Sequence, residues 1–143
     1  MTAESFLVFQ RGGYPFALSL KVLERVERAH KIYPVPRPAP GVEGVLLRLG
    51  ELVPVLHTRL PPCLNETPEE YISPRLVVVR GARPYSFRVD HIEGMAEGRE
   101  PTETQRRRLE ELPPPPGDLP LHPVMIGERM VWSIDKLAEE NRP

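Results

Sequence analysis

Residues 41–60 read GVEGVLLRLGELVPVLHTRL. Two apolar runs, Val42 to Leu49 and Leu52 to Leu56, flank Gly50-Glu51, and this spacing predicts a hairpin of two strands. The second run is almost wholly apolar, which predicts cover on both of its faces. Pro54 lies within it, and a residue without a backbone donor puts its strand at a sheet edge or a bulge. Just upstream, Tyr33 to Pro40 carries Pro34, Pro36, Pro38 and Pro40, which excludes a helix or a central strand. That segment is expected to be extended and polyproline-like, on the surface or along a sheet edge.

Working outward, Phe6 to Phe9 (FLVF) predicts a strand, Gly12-Gly13 a turn, and Tyr14 to Leu20 a returning strand. A single Gly-Gly pair without a following Lys-Ser or Lys-Thr is not a phosphate loop. Leu20, Leu23 and Val26 are spaced by three, which leaves a short helix and a strand-to-turn transition both open there. Leu76 to Arg80 (LVVVR) and the alternating Tyr85 to Val89 predict two more strands around Gly81-Ala82. Pro61 onward is a loop, with a helical turn starting at Thr67-Pro68. Thr102 to Leu112 (TETQRRRLEEL) has capping-box spacing and an i, i+4 Glu103–Arg107 pair, so a helix is expected. Val124 to Ile126 and Met130 to Ile134 predict a closing hairpin, followed by a polar helix from Asp135 to Asn141. Eight short strands with frequent turn signals point to barrels or a sandwich.

Composition narrows the function classes. With 143 residues the chain is expected to be one domain with a sizeable core. Its 19 prolines and 10 glycines are about a fifth of the chain, below the share expected of low-complexity disorder. Net charge is −1, so nothing draws the chain generally to nucleic acid or an anionic membrane. Cys63 is the lone cysteine, which excludes an internal disulfide and fits a reducing compartment. The N-terminal residues carry no signal-peptide pattern and no apolar run reaches spanning length, so a cytoplasmic location without membrane insertion is expected. Lysine occurs only at Lys21, Lys31 and Lys136, and Asn and Gln are scarce. Together with proline-stiffened loops this fits a thermophilic source, as it fits a biased genomic base composition.

Signs of catalysis are weak. His30, His57, His91 and His122 are scattered singly, and neither His57 with Cys63 nor Asp90-His91 forms a ligand pattern, so no metal or other cofactor is expected. No serine stands in a Gly-x-Ser-x-Gly elbow. Arg106-Arg107-Arg108 is neutralised by Glu103, Glu110 and Glu111 on the same helix, which favours a solvated, salt-bridged face over nucleic-acid binding. The expectation is a non-enzyme that works by surface contact.

The opening stretch, taken with PVPRPAP before it, resembles the signature region of the CheW family, adaptors of bacterial chemosensory arrays. Pro34, Pro36, Gly44, Val45, Gly50, Val53, Pro54, Val55 and Arg59 stand at the family's offsets. FLVF with LKVLE (Leu20 to Glu24), VDHIEGM (Val89 to Met95), and GERM followed by SIDKL resemble further family segments in the same order. The resemblance implies a single CheW-like domain over residues 1–143, built of two small SH3-like five-stranded β-barrels sharing a core, with one or two short helices. It also implies a non-catalytic adaptor bridging a chemoreceptor's cytoplasmic tip and the regulatory domain of a CheA-type histidine kinase through apolar grooves and strand edges. The contact residues carried over are Val22, Glu24, Arg48, Leu49 and Gly50. For Val22 a core position is the alternative, and for Glu24 a merely solvated acid.

The chain departs from the family's Asn-Leu-Arg-Gly turn. Leu47, Arg48, Leu49 and Gly50 stand there, so the arginine comes one position earlier, a shift that exchanges strand faces. His57 and Thr58 replace the Asp and Leu before Arg59, one residue is added between Glu24 and Pro34, and the last strand is about two residues short by the family pattern. These departures keep open an alternative: a CheW-fold interaction module in another assembly, such as surface motility or a kinase-free receptor array. An exposed edge around Pro54 would also offer pairing to a second copy.

Overall fold

The computed structural model describes residues 4–28, 32–36, 40–48, 50–58, 60–64, 75–111, 113–115 and 121–134. In order these form β1 (Glu4–Arg11), β2 (Tyr14–Ser19), β3 (Leu23–Arg28), β4 (Val42–Arg48), β5 (Glu51–Leu56), β6 (Arg75–Val79), β7 (Tyr85–Val89), β8 (His91–Gly98), α1 (Glu103–Glu110), β9 (Leu121–Ile126) and β10 (Arg129–Ile134). The strands make two five-stranded sheets, ordered β8-β1-β2-β10-β9 and β3-β6-β7-β5-β4. The fold is mainly β with two subdomains, as the resemblance implies.

Both sheets curl until their outer strands are tied. Arg99, just past β8, exchanges backbone hydrogen bonds of 3.0 and 2.8 Å with Met125 in β9. Tyr33, downstream of β3, exchanges two of 2.9 Å with Val45 in β4. Each tie covers part of an edge that would otherwise present open donors and acceptors.

Phe6, Leu7, Val8 and Phe9 are all buried. Successive side chains on a strand point to opposite faces, so β1 serves two cores at once. Phe6 and Val8 pack with Ala17, Val124 and Val131 inside the first sheet. Leu7 and Phe9 pack with Phe16, Leu18, Val77, Val79 and Phe87 between the sheets. β6 does the same from the other side, sending Leu76 and Val78 to Leu46, Val53 and Val55 inside the second sheet. Phe9 sits at the centre, its ring 5.7 Å from both Phe16 and Phe87.

Several local expectations need correction. Of the two readings left open from Leu20, the strand-to-turn transition holds at Leu20–Val22, but Leu23 onward is strand β3 and β8 is a strand the apolar pattern did not mark, so the described residues hold ten strands where eight were expected. β5 is interior, between β7 and β4, and offers no edge at Pro54 to a second copy. Val45, opposite Pro54, directs both backbone groups to Tyr33, so the missing Pro54 donor faces β7. Pairing there is the short Val55–Ser86 match, and the Ser86 hydroxyl donates to the Pro54 carbonyl at 3.0 Å. Leu52 is 63% exposed, so β5 is not covered on both faces along its whole length. Helix α1 follows expectation: Gln105 N–H donates to Thr102 Oγ1, Thr102 N–H donates to Gln105 Oε1, and Arg107 reaches Glu103 at 3.3 Å. The 67–68 turn, part of the proline run (37–39), Arg59 and the 135–141 helix lie outside the described residues.

Two stability tests follow from this packing. A Cβ on Gly98 would stand 2.5 Å from Val124 Cγ1 and 2.7 Å from the Phe6 ring, both buried. Gly98→Ala is therefore expected to cost about 1–3 kcal/mol in denaturant unfolding, as overpacked cores do. Tyr85 is 7% exposed, and its hydroxyl has no hydrogen-bond partner among the described residues. Burial pushes its pKa well above the ordinary tyrosine value. The unfolded chain releases that proton near about pH 10 while the folded chain keeps it, so stability falls as pH rises beyond that point. Tyr85→Phe should abolish this part of the alkaline loss and, by deleting an unsatisfied buried hydroxyl, add up to about 1 kcal/mol near neutral pH. Unfolding curves of the two proteins that stay parallel up to about pH 11 would refute it.

Candidate partner-binding surfaces

The residues expected to make contacts stand mostly on the surface. Val22 ends the turn into β3, where its N–H donates to the Ser19 carbonyl and its own carbonyl accepts from Arg80 N–H at 2.7 Å. Its side chain is 38% exposed and is not a core residue. Glu24 is exposed and meets the Arg25 guanidinium at 3.2 Å. Arg48 pairs with Glu51 across the β4–β5 hairpin, and the exposed Gly50 has φ +81°, which lets the turn close tightly. Leu49 lies outside the described residues.

Register decides which of these share a surface. Leu23 lies beside Val79, and Val79 beside Tyr85, while β5 runs parallel to β7 with Val55 beside Ser86. The Gly50 turn, the exposed Gly81–Arg83 turn and Val22 therefore share one end of the second sheet. Val22 and Gly50 flank that end from the two outer strands, β3 and β4.

Between the hairpin strands lies a feature the sequence reading missed. Leu47 and Leu52 are cross-strand partners, and they are 51% and 63% exposed. Two leucines facing water side by side make an apolar step next to Gly50. The sequence held a signal for it: Leu47 stands where the family pattern has Asn.

A second surface lies between the sheets. Val26, Glu27, Arg28 and Arg75 from the second sheet and Ile92 from β8 line an open groove of about 210 Å³. Val26 is 41% exposed within it. The groove offers apolar Val26 and Ile92 beside the arginines Arg28 and Arg75, suited to an amphipathic segment. Nearby, Arg129 grips Glu93 with both guanidinium arms at 2.5 and 2.9 Å, and Gln10 adds a third bond. The Arg129 hydrogen bond, ahead of the other influences, holds the Glu93 carboxyl below the usual carboxylate range.

Among the described residues no three His, Cys, Asp or Glu side chains gather as a metal would require. The arginine run on α1 is exposed and salt-bridged, with Arg106 on Glu100 at 2.9 Å and Arg107 on Glu103. Among the described residues no helix is long and apolar enough to cross a membrane.

The model of the CheW-like domain family matches residues 5–107, well over half of the chain. The chain belongs to the CheW-like domain family. The match ends within α1, and the closing β9–β10 hairpin lies beyond it. The fold nevertheless continues as in a CheW structure. The scaffolding protein TtCheW from Thermoanaerobacter tengcongensis superposes with a TM-score of 0.70 over 98% of this chain and 95% of that one, at 15% identity. Among curated proteins no sequence match is found. At that identity the likeness speaks for the fold alone.

Because Val22 and Leu52 are displayed rather than packed, charged substitutions there should leave the fold intact. Val22→Asp and Leu52→Asp are each expected to shift unfolding free energy by less than about 0.5 kcal/mol. Loss of several times that amount in thermal or denaturant melts would show that these side chains serve the core.

Proposed function

We propose that this chain acts as one CheW-like unit, a non-catalytic cytoplasmic adaptor that links a chemoreceptor's cytoplasmic tip to the regulatory domain of a CheA-type histidine kinase. The observation that carries this reading is the exposed apolar step of Leu47 and Leu52 beside the Gly50 turn, on a fold whose family is one of scaffolds. Exposed leucines paired across a hairpin add nothing to the core, so their apolar area is free for a partner. Val22 and Glu24 flank the same end from β3, and Arg48, Leu49 and Gly50 complete the proposed kinase contact. The receptor tip is assigned to the groove of Val26, Arg75 and Ile92. Such contacts are individually weak, and an array multiplies them.

The displaced arginine favours a second reading, in which the fold serves an assembly without kinase coupling. Titration calorimetry against the kinase regulatory domain from the same organism separates the two. Under the adaptor reading the native chain binds in the micromolar range, Leu52→Asp loses at least about tenfold, equivalent to about 1.4 kcal/mol, and receptor control of kinase autophosphorylation requires the chain. A native chain that does not bind, with binding created in Leu49→Arg, would support the second reading instead.

A further inference from the structure

The shared core is apolar, and the hydrophobic effect has no preferred direction, so directional bonds between the two sheets narrow the angle that side-chain packing leaves open. Among the described residues the chain passes from one sheet to the other at two places, between β2 and β3 and between β7 and β8. The second passage is a single residue, Asp90.

Asp90 is bonded on all sides. Its backbone N–H donates to the Gln10 carbonyl of β1 at 2.9 Å. Its carboxylate accepts from Gly12 N–H in the β1–β2 turn at 2.8 Å and from Leu64 N–H at 3.0 and 3.1 Å. Its carbonyl accepts from Arg75 of β6 at 3.1 Å. Arg11, 8% exposed, lies alongside; its guanidinium donates to the Pro61 and Arg88 carbonyls, each at 2.8 Å. Gln10, Arg11 and Gly12 belong to the first sheet and its turn, whereas Arg75 and Arg88 belong to the second, with Pro61 and Leu64 on the loop leaving β5.

We infer that Asp90 and Arg11 form a polar clasp that sets the angle between the two sheets, and with it the shape of the groove between them. The groove is built at the clasp. Arg75 both lines it and donates to Asp90, and Ile92, its wall from the first sheet, is two residues further along the chain. Asp90 is thus a positioning residue for groove binding, an assignment that rests on the adaptor reading for its partner but not for its geometry.

The test reads the angle without any partner. Nitroxide labels go on Glu51→Cys, in the second sheet's hairpin, and Glu128→Cys, in the first sheet's hairpin, in a Cys63→Ser background, and their separation is measured by pulsed electron resonance. The clasp predicts one narrow distance distribution, which broadens and shifts in Asp90→Ala while circular dichroism stays native-like. Asp90→Asn, which keeps one acceptor oxygen, should lie between. Ser86→Ala, which loses a bond wholly within the second sheet, should weaken stability yet leave the distance unchanged. A folded Asp90→Ala with the unaltered distribution would overturn the inference; if that variant does not fold, Asp90→Asn decides by the same criterion. A chain that binds neither receptor nor kinase would defeat the adaptor reading and leave this result standing.

Discussion

Burial of β1, β2 and β6 on both faces is the constraint on which the rest depends. Each of these strands must feed the core inside its own sheet and the core between the sheets, with alternate side chains. Four consecutive buried residues in Phe6 to Phe9, and four more in Leu76 to Val79, are the direct result. A slip of one residue would swap the two cores' contents, and because both sets are apolar the pattern alone would tolerate it. Register is held instead by the Gly12-Gly13 turn, by the bulge where β8 pairs with β1 near Val8 and Phe9, and by close contacts such as Gly98 against Phe6 and Val124.

Charged groups mark where those cores end. In the second sheet Glu27, Leu76 and Arg88 follow one another across β3, β6 and β7. Arg88 pairs with Glu43 of β4, and Glu27 pairs with Arg25, its side chain 8% exposed. These pairs lie on the face of Leu76, the inward one, and close the interior with charge where apolar side chains run out. Such pairs add little net stability over an apolar filling, yet removing one partner is costly. They favour one arrangement of β3 and β4 over its alternatives more than they strengthen it.

What could be read in the sequence divides along the same line. Strands buried on both faces announced themselves as continuous apolar runs, and the capping box of Thr102 and Gln105 fixed the start of α1. β3 hid because its inward face carries Arg25 and Glu27 in place of apolar residues, while Leu20, Leu23 and Val26 imitate a helical spacing. β8 hid because its partly buried side is Ile92, Gly94, Ala96 and Gly98, mostly small residues that leave no apolar run; at Gly98 the Phe6 ring and Val124 leave no room for a side chain, and Gly94 holds a φ of +132°. Pro54 pointed to an edge because a sequence does not show which neighbour its missing donor would have faced. The candidate surface was legible as a place, through family offsets at Val22 and Gly50, but not as chemistry. Exposure of Leu47 and Leu52 depends on where the hairpin projects past its sheet.

That exposure changes what the displaced arginine means. In the family pattern the turn offers a polar Asn and an Arg; here the position of Asn is Leu47, and Leu52 lies across from it. A guanidinium contact is directional and weakened by salt, whereas apolar area is neither. An adaptor that has exchanged one for the other would hold its partner with less angular precision and less sensitivity to ionic strength. Precision would then have to come from elsewhere in the molecule. A rigid angle between the sheets supplies it, since it fixes where a kinase on the hairpin end and a receptor tip in the inter-sheet groove would stand relative to one another. On this view Arg48 is no defect in a motif, and the divergence at the turn is matched by the polar clasp at Asp90.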